Sequence, residues 1–166
     1  MKGMICIRDA RDEDLGFVHE LNETGVPNVN SLTRDEVDWF RGVSASFRVA
    51  ELDEKAAAFL IALSPGVEYA SLNYRYFSRR FSEFLYVDRI VTATWARRRR
   101  VAWTLYEDLE SLAKRRGARR LCAEVNVRPR NDDSLVFHRR FGFREVGRQD
   151  TEGGAKKVVL LVKAVG

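Results

Sequence analysis

Residues 84–143 read FLYVDRIVTATWARRRRVAWTLYEDLESLAKRRGARRLCAEVNVRPRNDDSLVFHRRFGF, and this stretch decides the fold. An apolar strand over 84–91 leads into a basic turn, residues 96–102, and then into a long amphipathic helix. A second strand follows at 121–126, and a short helix ends near Gly142. Strands and helices that alternate in this way predict a small-molecule site at one edge of a sheet.

The turn before the long helix carries four consecutive arginines, Arg97–Arg100. A helix N-terminus already holds partial positive charge and unsatisfied N–H groups, so each added cation should cost roughly 0.3–1 kcal/mol. A bound phosphate or diphosphate reverses the sign of this energy, because backbone donors and guanidinium groups then converge on one anion. The pattern therefore indicates an anion site, with a solvated basic turn as the alternative.

The composition is that of one soluble domain. The chain has 166 residues, 45% hydrophobic and 32% charged, and we expect a single domain over residues 1–166. No apolar run reaches the roughly 20 residues that span a bilayer, and the N-terminus lacks the pattern of a signal peptide. We therefore predict a cytoplasmic protein with no membrane partner. Cys6 and Cys122 fall in predicted strands as buried thiols, and no metal-ligand spacing occurs.

The net charge of +5 raises the question of nucleic acid as a partner. The arginines lie in short blocks, only one of which coincides with a helix start. The blocks occupy residues 79–80, 97–100, 115–116, 119–120 and 139–140. Interleaved aromatic residues of the kind that stack on single strands occur at 74–77 but are isolated, so nucleic acid is kept as the less favoured partner.

Local signals place the remaining elements in a mixed α/β order without repeats. Strands are predicted at 4–8, 47–52, 56–63 and 157–163, and helices at 11–22 and from Thr33, where Thr33-Arg34-Asp35-Glu36 is a capping box. Gly117 and Gly142 are expected to end the two later helices, and Asn131 or Asp132 to cap the last one.

Two loops have the composition of binding segments. Residues 23–32 are rich in Gly, Pro and Asn, and residues 64–82 contain Pro65-Gly66 and five aromatic side chains. A long polar-aromatic loop is typical of a lid or acceptor site, whereas coverage of a sheet edge or a homodimer contact is the alternative.

Residues 85–147 resemble the acetyl-CoA-binding core of the GNAT superfamily of N-acyltransferases. The family has an Arg/Gln-x-x-Gly-x-Gly/Ala turn between a central strand and a long helix, and residues 97–102 keep its first residue and its last small residue. Arg100 replaces the central glycine. Further on, Asn131, Ser134, His138 and Gly142-Phe143 match the pattern Asn-x-x-Ala/Ser-x-x-x-Tyr-x-x-x-Gly-Phe, with His in place of Tyr.

The resemblance implies a GNAT-like fold, with a central mixed sheet of about six to seven strands flanked by about four helices. It implies acetyl-CoA as co-substrate and an N-acetyltransferase in which a small-molecule or peptide amine attacks the thioester directly. The strand after residue 87 would splay from its neighbour. The residues implied in acetyl-CoA binding are Ile90, Val91, Thr92, Arg97, Arg98, Arg99, Arg100, Val101, Ala102, Asn131 and Ser134.

His138 and Glu124 are the candidate catalytic residues. His138 occupies the position of the family's thiolate-protonating tyrosine, and an imidazole with a pKa near neutrality can protonate a thiolate. Packing between two phenylalanines is the alternative for His138. Glu124, beside Asn126 on the polar face of its strand, is the candidate base, and Asp88 competes with it unless an Asp88–Arg89 pair is structural.

Arg100 bears directly on acetyl-CoA binding, because glycine at that position lets the backbone approach phosphate closely. We expect Arg100 to adopt ordinary helical angles and its side chain to reach the phosphates instead. The alternative function is a degenerate, non-catalytic GNAT-like module that binds RNA or protein through the arginine blocks.

Overall fold

The computed structural model describes residues 3–166, which form seven strands, five α-helices and three short 3-10 helices. The strands are β1 (Ile5–Asp9), β2 (Ser46–Leu52), β3 (Lys55–Leu63), β4 (Phe84–Thr92), β5 (Arg120–Arg128), β6 (Arg144–Thr151) and β7 (Lys156–Ala164). The helices are α1 (Leu15–Thr24), α2 (Arg34–Val43), α3 (Leu72–Ser78), α4 (Val101–Arg116) and α5 (Asp132–Phe141). The predicted α/β fold class is confirmed, with one helix more than expected.

The strands form one mixed sheet in the order β1-β2-β3-β4-β5-β7-β6. β4 and β5 run parallel, with Phe84 opposite Arg120 and Tyr86 opposite Cys122. The pairs β1–β2, β2–β3, β5–β7 and β7–β6 are antiparallel. A parallel pair needs a crossover connection, which α4 provides between β4 and β5.

The chain divides into two compact units. The first contains the chain up to Leu63 together with Asp88–Leu112, and the second contains Ser64–Val87 together with Ala113–Gly166. The first unit buries side chains of α1, α2 and β3, among them Val18, Phe40 and Ile61. The second buries Phe77, Tyr86, Leu121 and Leu160. That residues 1–166 form a single domain stays a prediction.

The local start and stop signals act as predicted. The Thr33 hydroxyl accepts from the Glu36 N–H and the Glu36 carboxylate accepts from the Thr33 N–H, both at 3.1 Å, which confirms the capping box of α2. Gly142 ends α5 with φ of 113°. Asp53 and Glu54 join β2 to β3 with φ of 51° and 68°, the left-handed angles that a two-residue hairpin turn requires.

The prediction of a loop over 64–82 was wrong for its central part, which forms the helix α3. The Ser71 hydroxyl accepts from the Tyr74 N–H at 3.2 Å and so caps this helix. Tyr74 and Phe77 are buried and face Tyr86 with ring centroids 5.5 and 5.8 Å away. Two of the five aromatic residues that suggested a loop, Tyr74 and Phe77, therefore form the packing face of a helix.

Strand β6 was not predicted. Its sequence, Arg144-Glu145-Val146-Gly147-Arg148-Gln149-Asp150-Thr151, has one large apolar residue, and Val146 is itself exposed. β6 stands at the edge of the sheet and pairs only with β7 among the described residues. An edge strand with charged side chains on a solvated face carries no periodic apolar signal.

The prediction of two buried thiols holds for Cys122 and is wrong for Cys6, which is exposed on the edge strand β1. Cys122 is fully buried, and burial raises the pKa of its thiol. Asn126 is also buried, so the face of β5 that was predicted to be polar is covered as well.

Candidate active site

The site begins where β4 ends. After Thr92 the chain makes a 3-10 turn at Thr94–Ala96 and then the arginine turn, Arg97–Arg100, and α4 starts at Val101. All four arginines are exposed. The first helical bond of α4 runs from the Thr104 N–H to the Arg100 carbonyl (3.0 Å), so the N–H groups of residues 101–103 precede it and lie at the helix start.

Two arginines of this turn have the backbone conformation of glycine. Arg98 has φ of 60° and Arg100 φ of 65°, whereas Arg97 has φ of −64°. The expectation of right-handed helical angles at Arg100 was therefore wrong. Side chains in the left-handed region cost about 1–2 kcal/mol per residue. The chain thus keeps the shape of a glycine-containing turn and adds two guanidinium groups to it.

The guanidinium groups are held only loosely. Arg99 lies 3.8 Å from the Asp53 carboxylate, and both side chains are largely exposed. The guanidinium carbon of Arg100 lies 5.3 Å from the centre of the Trp103 ring. Exposed N–H donors, a helix start and four cations suit a diphosphate, so the residues present fit the nucleotide end of acetyl-CoA.

We expect glycine at the two left-handed positions to stabilise the fold. The double variant Arg98→Gly/Arg100→Gly should raise the free energy of unfolding by about 1 kcal/mol per position, because glycine adopts φ near +60° without strain. Denaturant unfolding measures the change. Arg97→Gly is the matched control for each of the single variants Arg98→Gly and Arg100→Gly: it removes one arginine at a position with negative φ, and it should give no gain. If Arg97→Gly raised the free energy of unfolding as much as each single variant does, backbone strain at Arg98 and Arg100 would be ruled out as the cause.

Glu124 lies on β5 with Tyr86 as its partner. The Tyr86 hydroxyl donates to Glu124 Oε1 at 2.9 Å. Tyr86 is buried, and its ring packs against Tyr74 and Phe77 of α3, which fixes the phenol. Glu124 is half-buried. A carboxylate in a fixed orientation and partly removed from water can accept a proton from a bound amine.

Tyr86 is the site residue that sequence reasoning missed. The parallel register sets Tyr86 opposite Cys122, and Glu124 is two residues further along the same face of β5. The signal available in the sequence was a phenol within the apolar run that begins β4, because a buried tyrosine needs a partner for its hydroxyl.

Asp88, the competing base, is engaged by Arg89. The Arg89 Nε donates to Asp88 Oδ2 at 2.8 Å, and the two side chains are 5% and 3% exposed. Arg89 Nη1 also donates to Asn22 Oδ1 and to the Asn30 carbonyl, each at 2.9 Å. This buried arginine ties the loop between α1 and α2 to β4, which favours a structural role for the pair.

His138 is buried on α5, with 3% of its surface exposed. Burial lowers its pKa to about 4, and the hydrogen bond to Ser134 opposes this only in part. Its Nδ1 lies 2.7 Å from the Ser134 carbonyl, and a carbonyl only accepts, so Nδ1 carries the proton of a neutral ring. The N–H of this neutral ring already donates to a carbonyl of its own helix. This arrangement argues against the predicted role of His138 as proton donor.

The low pKa of His138 predicts a pH dependence of stability. Unfolded histidine, with a pKa near 6.5, binds a proton before the folded residue does, so stability is lost as the pH falls from about 6.5 towards 4. Between pH 7 and 4.5 the wild-type protein should lose about 2 kcal/mol more than His138→Phe does. Denaturant unfolding of both proteins at the two pH values measures the difference. Parallel losses would show that the ring is solvated.

The remaining predicted residues lie in both units. Ile90, Val91 and Thr92 form the end of β4, and the Ala93 N–H that follows them donates to the Ala57 carbonyl of β3 at 2.8 Å. Asn131 is the N-cap residue of α5, as predicted, although its side chain makes no capping bond. The Ser134 hydroxyl lies 3.3 Å from His138 Nδ1, so the structure brings these two predicted residues together.

Residues 6–143 match the acetyltransferase (GNAT) family, and the chain belongs to that family. Membership makes acetyl transfer its activity in general terms and confirms the resemblance drawn from the sequence. None of the curated proteins matches the chain.

Solved structures show the same fold. The ribosomal-protein-S18-alanine N-acetyltransferase from Escherichia coli has 16% identity and a TM-score of 0.74, with 98% of this chain and 95% of that chain covered. The yncA structure from Salmonella typhimurium, with its cofactor acetyl-CoA, has 15% identity, a TM-score of 0.71 and coverage of 98% and 94%. NAA60 from Arabidopsis thaliana, in complex with a bisubstrate analogue, has 17% identity, a TM-score of 0.77 and coverage of 98% and 99%.

Within residues 3–166, every helix is too short or too polar to cross a membrane.

Proposed function

We propose that this protein transfers an acetyl group from acetyl-CoA to a primary amine, which attacks the thioester directly, in the cytoplasm. The observation that carries the proposal is the arginine turn at the start of α4, which has left-handed angles at two positions in a member of the acetyltransferase family. The related yncA structure contains acetyl-CoA, which supports the same co-substrate here.

The residues proposed to hold acetyl-CoA follow one another along the chain. The backbone of Ile90–Thr92 is proposed to pair with the extended pantetheine arm, as one strand pairs with another. The N–H groups at the start of α4 and the guanidinium groups of the arginine turn are proposed to bind the diphosphate. Asn131 and Ser134 are retained as proposed contacts at the start of α5. Acetyl-CoA supplies an activated acyl carbon, and the chain positions the two reactants.

Glu124 is proposed to remove the proton from the attacking amine. An ammonium group is not nucleophilic, so a bound amine must lose a proton before or during attack. The Tyr86 hydroxyl occupies Glu124 Oε1 at 2.9 Å and so orients the carboxylate. Because His138 is neutral and engaged with Ser134, we assign it to the packing of α5 rather than to proton transfer.

The loop at 23–32 is proposed to line the site of the acceptor amine, and hydrogen bonds fix its conformation. The Glu23 carboxylate accepts from the Ser31 hydroxyl, from the Leu32 N–H at 3.1 Å and from the Asn22 amide at 2.8 Å. Arg89 adds its bonds to Asn22 and Asn30. A loop fixed in this way is preorganised for an acceptor, which lowers the entropy cost of binding it.

An acceptor screen tests this function. The protein is incubated with acetyl-CoA and pools of amino acids, polyamines, aminoglycosides and peptides with free N-termini, and acetylated products are identified by mass spectrometry. We expect one pool to give an amide product and an equal amount of free CoA. A protein that binds acetyl-CoA but acetylates an alcohol or thiol acceptor would contradict the amine assignment. A protein that does not bind acetyl-CoA would contradict the proposal as a whole.

A further inference from the structure

Four Arg–Arg pairs of the sequence lie outside the arginine turn. We call them together the arginine end. Its members are Arg79, Arg80, Arg115, Arg116, Arg119, Arg120, Arg139 and Arg140. Taken one at a time in the sequence, these pairs suggested scattered surface charges. The fold of the second unit instead brings them to one end of its strands.

The parallel register places two pairs side by side. Phe84, the first residue of β4, is opposite Arg120, the first residue of β5. Arg79 and Arg80 lie in the short segment between α3 and β4, and the guanidinium of Arg120 lies 4.0 Å from the Phe81 ring centre in that segment. The Arg119 N–H donates to the Glu83 carbonyl at 3.1 Å, which joins the two segments.

The other two pairs lie at the C-terminal ends of α4 and α5, and both helices end near the same end of the strands. α4 ends at Arg116, only four residues before β5 begins. α5 ends at Phe141, directly after Arg139-Arg140, and the Lys163 ammonium of β7 lies 4.2 Å from the Phe141 ring centre. Lys163 pairs with Leu121, the second residue of β5.

The charge of this unit is strongly unbalanced. Residues 64–87 and 113–166 carry 17 Lys and Arg against 8 Asp and Glu, whereas the rest of the chain carries 12 against 16. Within the arginine end, Glu83 pairs with Arg119 at 2.9 Å, and both side chains are exposed. The Glu145 carboxylate near Arg139 is bound by Arg148 at 2.6 Å. Clustered guanidinium groups with so little compensation attract a polyanion.

The chemistry of the arginine end favours a phosphate backbone. All eight residues are arginines, whose planar forks bind phosphate through two parallel bonds. Arg80 covers one face of the Tyr76 ring at 3.5 Å, and Arg120 covers one face of the Phe81 ring, so those two faces are not available for stacking by bases. Val136 is exposed one helical turn before Arg140 on α5, but a single valine is much less than the row of large apolar side chains with which a helix enters a membrane.

We propose that the arginine end binds nucleic acid through its phosphate backbone, without sequence selectivity. The proposal does not rest on acetyl transfer, because none of its residues belongs to the proposed acetyl-CoA site or to the loop at 23–32. Arg79 and Arg80 lie in the segment 64–82, but after α3 has ended.

The test measures the anisotropy of a fluorescein-labelled 20-base-pair duplex, as RNA and as DNA, from 50 to 300 mM NaCl, both without CoA and with saturating CoA. We expect micromolar binding at 50 mM NaCl for both duplexes. For four or more phosphate contacts, the slope of log K against log [NaCl] should be about −3.6 or steeper. The variant Arg79→Gln/Arg115→Gln/Arg116→Gln should bind at least about tenfold more weakly, with a slope shallower by about 2–3.

The control variant is Arg128→Gln/Arg130→Gln/Lys156→Gln. It removes the same charge from the same unit, at side chains that pair with Asp150, Asp132 and Glu152. It should bind within about twofold of the wild-type protein. Equal losses in the two variants, no binding at 50 mM NaCl, or displacement of the duplex by CoA would each overturn the proposal. So would binding of phosphatidylserine vesicles, but not of either duplex, through the three substituted arginines.

Discussion

Glu124→Gln is expected to lower kcat by about 10²–10⁴-fold while leaving the Kd for acetyl-CoA unchanged. The amide keeps the size of the carboxylate and can still accept the bond from the Tyr86 hydroxyl, which holds Glu124 at 2.9 Å. It cannot take a proton from the amine. Steady-state kinetics with the acceptor from the screen, together with an acetyl-CoA titration, separate the two quantities.

Two further variants make this result specific. Tyr86→Phe should lower kcat less than Glu124→Gln does, because it removes the orienting hydroxyl and keeps the base. Glu107→Gln, an exposed carboxylate on α4, should have no effect. If Glu124→Gln turns over at the wild-type rate and His138→Phe does not, the proton transfers belong to α5, and the protonation state inferred for His138 is wrong.

Arg97→Gln/Arg99→Gln is expected to weaken acetyl-CoA binding by about 100-fold or more, since each lost charge-assisted bond to phosphate contributes about 1.5–3 kcal/mol. Acetyl-pantetheine lacks the nucleotide and its diphosphate, so its affinity should change little. Calorimetric titration of both ligands measures the contrast. Arg115→Gln/Arg116→Gln, which removes the same charge from the other end of α4, is the control and should bind acetyl-CoA normally. Equal losses for both ligands would rule out the phosphate assignment.

The elements with strong local signals were predictable from the sequence. The capping residues Thr33 and Glu36 indicate the start of α2, and Gly142 indicates the end of α5. Continuous apolar runs indicate β3 and β4. These signals work because capping bonds, left-handed glycines and burial act within a few residues of one another.

The features that depend on distant partners were not predictable. β6 has the composition of a solvated loop and is a strand only because β7 offers it backbone partners. The Tyr86–Glu124 bond joins residues 38 positions apart, through a register that no local pattern fixes. His138 was predicted to be an acid from its type and position, whereas its burial and its contact with the Ser134 carbonyl depend on how α5 packs.

The position of the arginine turn was predicted correctly, but its backbone conformation was not. A run of four arginines indicates an anion site from charge alone, but it gives no sign that Arg98 and Arg100 adopt positive φ. Positive φ at these two residues depends on the path of the chain from β4 to α4, and it is the feature on which the proposed phosphate site rests.

Thermal unfolding of the wild-type protein with increasing acetyl-CoA tests the central claim most directly. A ligand at 100 times its Kd adds about 2.7 kcal/mol to the free energy of unfolding, so Tm should rise by roughly 5–10 °C in a saturable, concentration-dependent manner. Acetyl-pantetheine should give a smaller shift at the same concentration. An unchanged Tm at millimolar acetyl-CoA would contradict the account, because the arginine turn would then not hold the acyl donor.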